Sequence, residues 1–275
     1  MGVGWSLILF YITMMGERGS SRSARTSSPF RLSLSSPAND YLAVRKVYAL
    51  AIARTRKPAE LAPLDDWIHS DFPTAVKARC PPHVVASELS RVMQWKLLKG
   101  KFRPGLQRYV DELSEKAVAE ASGAALKKLA SGDLKGALTS LSVPLKGVGP
   151  ATASAVLSVL APEKIAFMSD EALDSVCGSR GYTVQEAITL AGACVAKANE
   201  LNAASASASA AAPDVEGAFP LRGKWTANMV ALCIWSANSG TKDTAPSDTT
   251  KAAEKTEGGG TAATAKAAKK RRRGD

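Results

Sequence analysis

Beyond position 38 the apolar residues recur three and four apart, and no segment alternates long enough to make a convincing strand. Asn39 or Asp40 can cap a helix running to about Arg56, with Leu42, Val44, Val47, Tyr48 and Ala51 as its apolar stripe. A second helix is expected over 65–78, where Asp65 and Asp66 sit in the favourable first turn. A third opens after Pro81 and Pro82, carries Val84, Leu89, Val92, Met93 and Leu97, and stops before Gly100. Pro104 and Gly105 break the chain, and helices over 106–118, 122–131 and 133–141 follow. Another ends the run at 182–202, and an apolar one over 223–237 closes the domain. The pattern predicts an all-α core.

Domain limits follow from where this pattern fails. Residues 39–237 read as one helical domain with a low-complexity insertion near 203–218, whose ASASASAAAPD stretch has nothing large to bury. Residues 1–38 are set apart as a targeting or disordered segment. Their apolar run VGWSLILFYITMM at 3–15 is short for a bilayer span and lacks the basic leader of a secretory signal. The Ser- and Arg-rich stretch after it has the composition of an organelle transit peptide. Residues 238–275 hold no large apolar side chain, read as a disordered basic tail, and end in KKRRR at 269–273, which suits a nuclear signal or a polyanion arm. The expected address is the nucleus, a mitochondrion or a plastid, without secretion and without a stable membrane span.

Composition narrows the chemistry. With 45% hydrophobic and 22% charged residues in 275, the chain has a globular balance. Its net charge of +11 suggests a nucleic-acid partner, yet most of the excess lies in the two ends. The core has one departure: Arg91, Lys96, Lys99, Lys101, Arg103 and Arg108 follow one another with no acidic residue, beside Trp95, Phe102 and Tyr109. That is a candidate phosphate-facing surface; the alternative is a solvated helix face whose aromatic side chains point inward. Cys80, Cys177, Cys194 and Cys233 are widely spaced, so neither a disulfide framework nor a CxxC metal site is expected. His69 and His83 are the only histidines, and with Cys80 they make at most a fragment of a zinc site.

The segment PLKGVGPATASAVLSVL at 144–160 carries most of the functional signal. Gly147 and Gly149 permit a tight turn between two helices, Val148 can plug it into the core, and Pro150 suits a first helical position. Ala153, Val156, Leu157 and Leu160 then form a core face, while Ala151, Ser154, Ala155 and Ser158 keep the other face small. Bare amides at the start of that helix, aligned with its dipole, suit a phosphate oxygen.

This pattern resembles the helix-hairpin-helix motif. With IAFMSDEAL at 165–173 it resembles base-excision DNA glycosylases of the endonuclease III type, and QWKLLKGKFRPGLQ at 94–107 extends the likeness, over roughly 39–237, to a poorly characterised eukaryotic glycosylase-like group. The resemblance implies an all-α glycosylase-like domain that holds DNA through Lys146, Gly147, Val148, Gly149, Ala151 and Thr152, with Lys96, Lys99, Lys101 and Arg103 assisting. Asp170 matches the family's catalytic aspartate, although the spacing to it is about one residue longer; Ser169, Asp170 and Glu171 also read as an ordinary helix cap. Ala151 stands where bifunctional members carry the lysine that attacks the sugar, so lyase chemistry through that position is not expected, and Lys146 is the nearest substitute amine in sequence. The family's four-cysteine iron–sulfur loop is missing, so no cluster and no other cofactor is expected. Trp95, Phe102 and Phe167 are candidates for stacking on an extruded base. The stretch from Gly223 to Asn228 echoes a second hairpin but lacks its Gly-apolar-Gly turn, and reads as the entry to a core helix.

Three readings follow: a DNA-binding protein that grips the backbone without reading sequence, a monofunctional glycosylase using Asp170, and a helical protein-interaction scaffold.

Overall fold

In the computed structural model, the described residues are 31–207, 220–221 and 223–239. They form helices and connecting turns, with no strand among them. The expectations about the first thirty residues, most of the insertion and the basic tail, including its KKRRR, lie outside the described residues. No helix among those described is long and apolar enough to cross a membrane.

The first expected helix is two: α1 (Ala38–Lys46) and α2 (Tyr48–Ala53), separated at Val47, whose ψ of 13° leaves the helical region. The break lets two rings face different partners. Tyr41 meets Trp225 edge-on at 6.0 Å, and Tyr48 packs on Trp235 at 5.9 Å. Packing also begins earlier than position 39: Leu32 is fully buried, and the Asn238 side chain bonds its backbone N–H and C=O at 3.0 and 2.9 Å.

Two helices likewise replace the one expected over 65–78. Helix α3 (Pro58–His69) starts earlier, with Pro58 in the first turn where its missing N–H is harmless, and α4 (Asp71–Ala78) follows a break at Ser70. Helix α5 (Ala86–Lys99) ends at Gly100 as expected. After it, α6 (Leu106–Asp111) stops short, because Ser114 accepts the Ala117 amide at 3.2 Å and caps a longer helix, α7 (Glu115–Ala130), that spans the expected gap at 119–121. Asp133 caps α8 (Leu134–Ser142) through the Gly136 amide at 2.7 Å.

Helix α9 (Pro150–Leu160) is buried from Ala151 to Leu160 on every side, so its small face is interior as well as its apolar one. The small residues still matter. Ser154 accepts the Met168 amide at 3.0 Å, and Asn228 accepts the Phe167 amide at 3.1 Å, so α9 and the last helix brace the loop leading into α10 (Asp170–Val176). Helix α11 (Val184–Ser207) runs past position 202 into the Ala-Ser repeat, in keeping with the helix propensity of alanine. The side chain of Asn202 then bonds both the N–H and C=O of Trp225, at 2.9 and 3.0 Å, closing the domain across the insertion. Helix α12 (Ala227–Asn238) begins behind a Thr226 cap rather than at Gly223, and Trp225 is buried, so this stretch is the entry to a core helix.

Candidate functional site

The turn between α8 and α9 divides its work between two unlike glycines. Gly147 has a φ of +85°, which L side chains rarely adopt, and a Cβ there would come within 2.8 Å of the Tyr109 Cβ. Gly149 has an extended backbone that any residue can take, and a Cβ there would meet nothing within 4 Å. Of the two glycines that permit the turn, only Gly147 uses the left-handed conformation. What Gly149 supplies is an open approach.

The amides sort in the same way. Val148 donates to the Leu145 carbonyl at 3.0 Å, and Thr152 to that of Gly149 at 3.0 Å, so these two donors are used inside the turn and both side chains are buried. The amides of Gly147, Gly149 and Ala151 have no protein acceptor among the described residues. The turn is therefore not sealed: Gly147, Gly149, Ala151 and Thr152 line a cleft of about 290 Å³.

Across that cleft stand Lys96, at the third turn of α5, with Lys101 and Arg103 in the segment after it. Neither Lys101 nor Arg103 forms an ion pair among the described residues, and the Arg103 guanidinium lies 5.4 Å from the centre of the Tyr182 ring. Burial pushes the Lys96 amine down to about 8, helped by the positive charge of Arg103 and opposed by Asp170.

Lys99 touches the wall of this cleft, but its ammonium is engaged in the core. Its side chain has no solvent exposure; the ammonium bonds Asp65 at 3.1 Å and the Tyr48 hydroxyl, and lies 3.7 Å over the Trp235 ring. Trp95 belongs to the same buried cluster, giving its indole N–H to Asp65 at 2.8 Å, so it cannot stack on a base. Burial by itself would raise the Asp65 carboxyl, but Lys99, His69 and the Trp95 donor together hold it below the usual range. Burial also pushes His69 down to about 4, and its Nε2, 4.0 Å from Asp65, has no hydrogen-bond partner. His69 is thus a core residue, apart from the exposed Cys80, and no three metal-ligating side chains are grouped among the described residues.

Phe167 packs on Trp95 at 4.8 Å and forms part of the cleft wall. Phe102, 60% exposed, lines instead a separate groove of about 890 Å³ with Leu64, Leu97 and Leu98. Lys146 is exposed with its ammonium over the Tyr109 ring at 4.3 Å, and it does not line the cleft that holds Asp170.

Asp170 does line it, and the cap is made by its neighbour: Ser169 accepts the Ala172 amide at 3.1 Å. The Asp170 carboxylate is left to side chains, accepting from the Tyr182 hydroxyl at 2.6 Å and from Arg180 at 2.9 Å. Arg180 also bonds Asp174 through two nitrogens at 2.6 and 2.5 Å, which raises its pKa further. Tyr182 sits at a φ of +52°, and burial followed by the bond to Asp170 raises its phenol. The sequence reading missed Arg180 and Tyr182. The signal for them was a loop from Gly178 to Tyr182 with one cation and one ring, immediately after the helix of Asp170. Glu186 fixes that loop, accepting from the Thr183 amide at 2.9 Å, the Ser179 hydroxyl at 2.7 Å and the Gly181 amide at 2.9 Å, which holds its carboxyl at about 2.

No family model, curated protein or solved structure matches this chain.

Proposed function

We propose that the chain is a helix-hairpin-helix, DNA-glycosylase-like protein that grips the DNA phosphate backbone without reading sequence and serves DNA repair. One observation carries the reading: the unpaired amides of Gly147, Gly149 and Ala151 open on a cleft faced by Lys96, Lys101 and Arg103. Amides at a helix start and cations opposite them are complementary to phosphate oxygens, and such contacts position a strand without specifying its bases. Lys146, exposed at the entrance to the turn, adds charge from outside the cleft.

Gel-shift titration of the full chain on duplex DNA tests this, with the KKRRR tail replaced in a parallel variant. Binding that weakens with salt and persists in the tail variant is the expected result. Loss of all binding with the tail would leave the scaffold reading, in which the turn only packs helices.

Asp170 favours a second reading, a monofunctional glycosylase. Its carboxylate faces the cleft and is fixed from two sides, as a group that steadies an oxocarbenium ion and orients water must be. Base release from lesion-bearing duplexes, abolished by Asp170→Asn while binding persists, is the corresponding result.

A further inference from the structure

The fold has a large apolar groove that nothing among the described residues covers, and the chain has an apolar segment outside them. Phe102 is 60% exposed and, with Leu64, Leu97 and Leu98, lines the groove of about 890 Å³. Residues 3–15, VGWSLILFYITMM, carry no charge and are well short of the roughly 20 apolar residues of a bilayer span. An exposed apolar surface of this kind marks a place where another apolar surface docks. Charge agrees with that match. Arg56 and Lys57 also line the groove; Lys57 pairs with Glu60 at 2.9 Å, whereas Arg56 forms no ion pair among the described residues. Glu17, one residue beyond the apolar run, is the only acid in the first 38 residues.

We propose that residues 3–15 dock in this groove against Leu64, Leu97, Leu98 and Phe102, with Glu17 brought to Arg56. The tether permits it. Asn238 pins Leu32 to the end of α12, and Trp235 of the same helix donates to the Lys99 carbonyl at 3.2 Å, one turn from Leu97 and Leu98. Residues 16–30 extended reach about 50 Å, more than the roughly 30 Å diameter of a small domain. A tether of that length holds the segment at an effective concentration on the order of millimolar, which favours it over a second copy at micromolar protein. Docking also reaches the cleft. Lys101 and Arg103 line the cleft while Phe102, between them, lines the groove, so a seated segment braces this stretch from the other side. The proposal stands apart from the DNA reading, because its test detects docking and not DNA.

The experiment places the photoreactive p-benzoylphenylalanine at position 102 of the full chain, where the native ring is already exposed. After irradiation at micromolar concentration, the cross-linked peptides are identified by mass spectrometry. A link to residues 3–15 is expected, at least about tenfold above that from the same probe at Lys135, which is exposed on α8. Mixing isotopically heavy and light chains separates a link within one chain from a link between two. Ile8→Asp combined with Phe10→Asp, both outside the described core, should lower the yield at least about tenfold by setting charges against an apolar wall. Glu17→Lys should lower it about two- to fivefold, the effect of one exposed ion pair, and salt should do the same. No link to residues 3–15, a link found only between heavy and light chains, or a yield undiminished by the paired Asp substitutions overturns the proposal.

Discussion

Two clusters built from the same residue types meet the last turns of α5. In one, Lys99, Asp65 and Tyr48 are closed on one another among Trp95 and Trp235. In the other, Lys96, Asp170 and Tyr182 line an open cleft, but there an arginine has taken the lysine's place on the carboxylate. The first cluster is a buried ion pair whose members satisfy each other. The second leaves one amine without a partner. Pairing, not residue type, separates the closed cluster from the open one.

The sharpest way to break the comparison is to open the closed cluster. Asp65→Ala strands a buried ammonium and should cost about 3–5 kcal/mol of stability, measured by denaturant unfolding. Asp170→Ala should cost less than about 1 kcal/mol, because its partners are partly exposed and Arg180 keeps Asp174. Equal losses at the two sites would erase the distinction.

Acid gives the next largest effect. His69 is held near 4 in the fold, below the roughly 6.5 of an unfolded chain, so the unfolded state binds the proton more readily as pH falls between those values. The contribution of His69 is complete above about pH 6.5 and is lost on descent toward pH 4, to a total of about 3 kcal/mol. Melting temperatures across that range should fall, and His69→Gln should flatten the fall.

A smaller contrast separates the two glycines of the hairpin. Gly147→Ala imposes a strained backbone and a close approach to Tyr109, and should cost about 1–3 kcal/mol of stability. At Gly149 an added Cβ meets no neighbour, so the main effect of Gly149→Val should be on DNA affinity, by covering the amides, and it should exceed that of Lys146→Ala. The reverse order in a gel shift would mean that simple charge attraction holds the strand.

Much of this was legible along the chain. Helical periodicity and the Gly-Val-Gly-Pro turn marked an all-α protein and the start of α9, because a run of one-sided apolar positions and a proline at a first turn have few other outcomes. Helix ends were less legible where a single serine cap, as at Ser114, or one non-helical residue, as at Val47, outweighed a continuous pattern. The candidate site was legible in its parts: 94–103, 147–152 and Asp170 do meet at one cleft.

What tertiary structure alone decided is the fate of each charge. Lys96 and Lys99 lie one helical turn apart with almost the same neighbours in sequence, yet α3 and α12 bring Asp65 and Trp235 to one, while the loop after α10 brings Arg180 to the carboxylate that could have paired with the other. Local spacing fixes which way a backbone coils. Whether an ammonium ends beside a carboxylate, under an indole or open to a cleft depends on segments more than thirty residues away, whose arrival only the packed core determines.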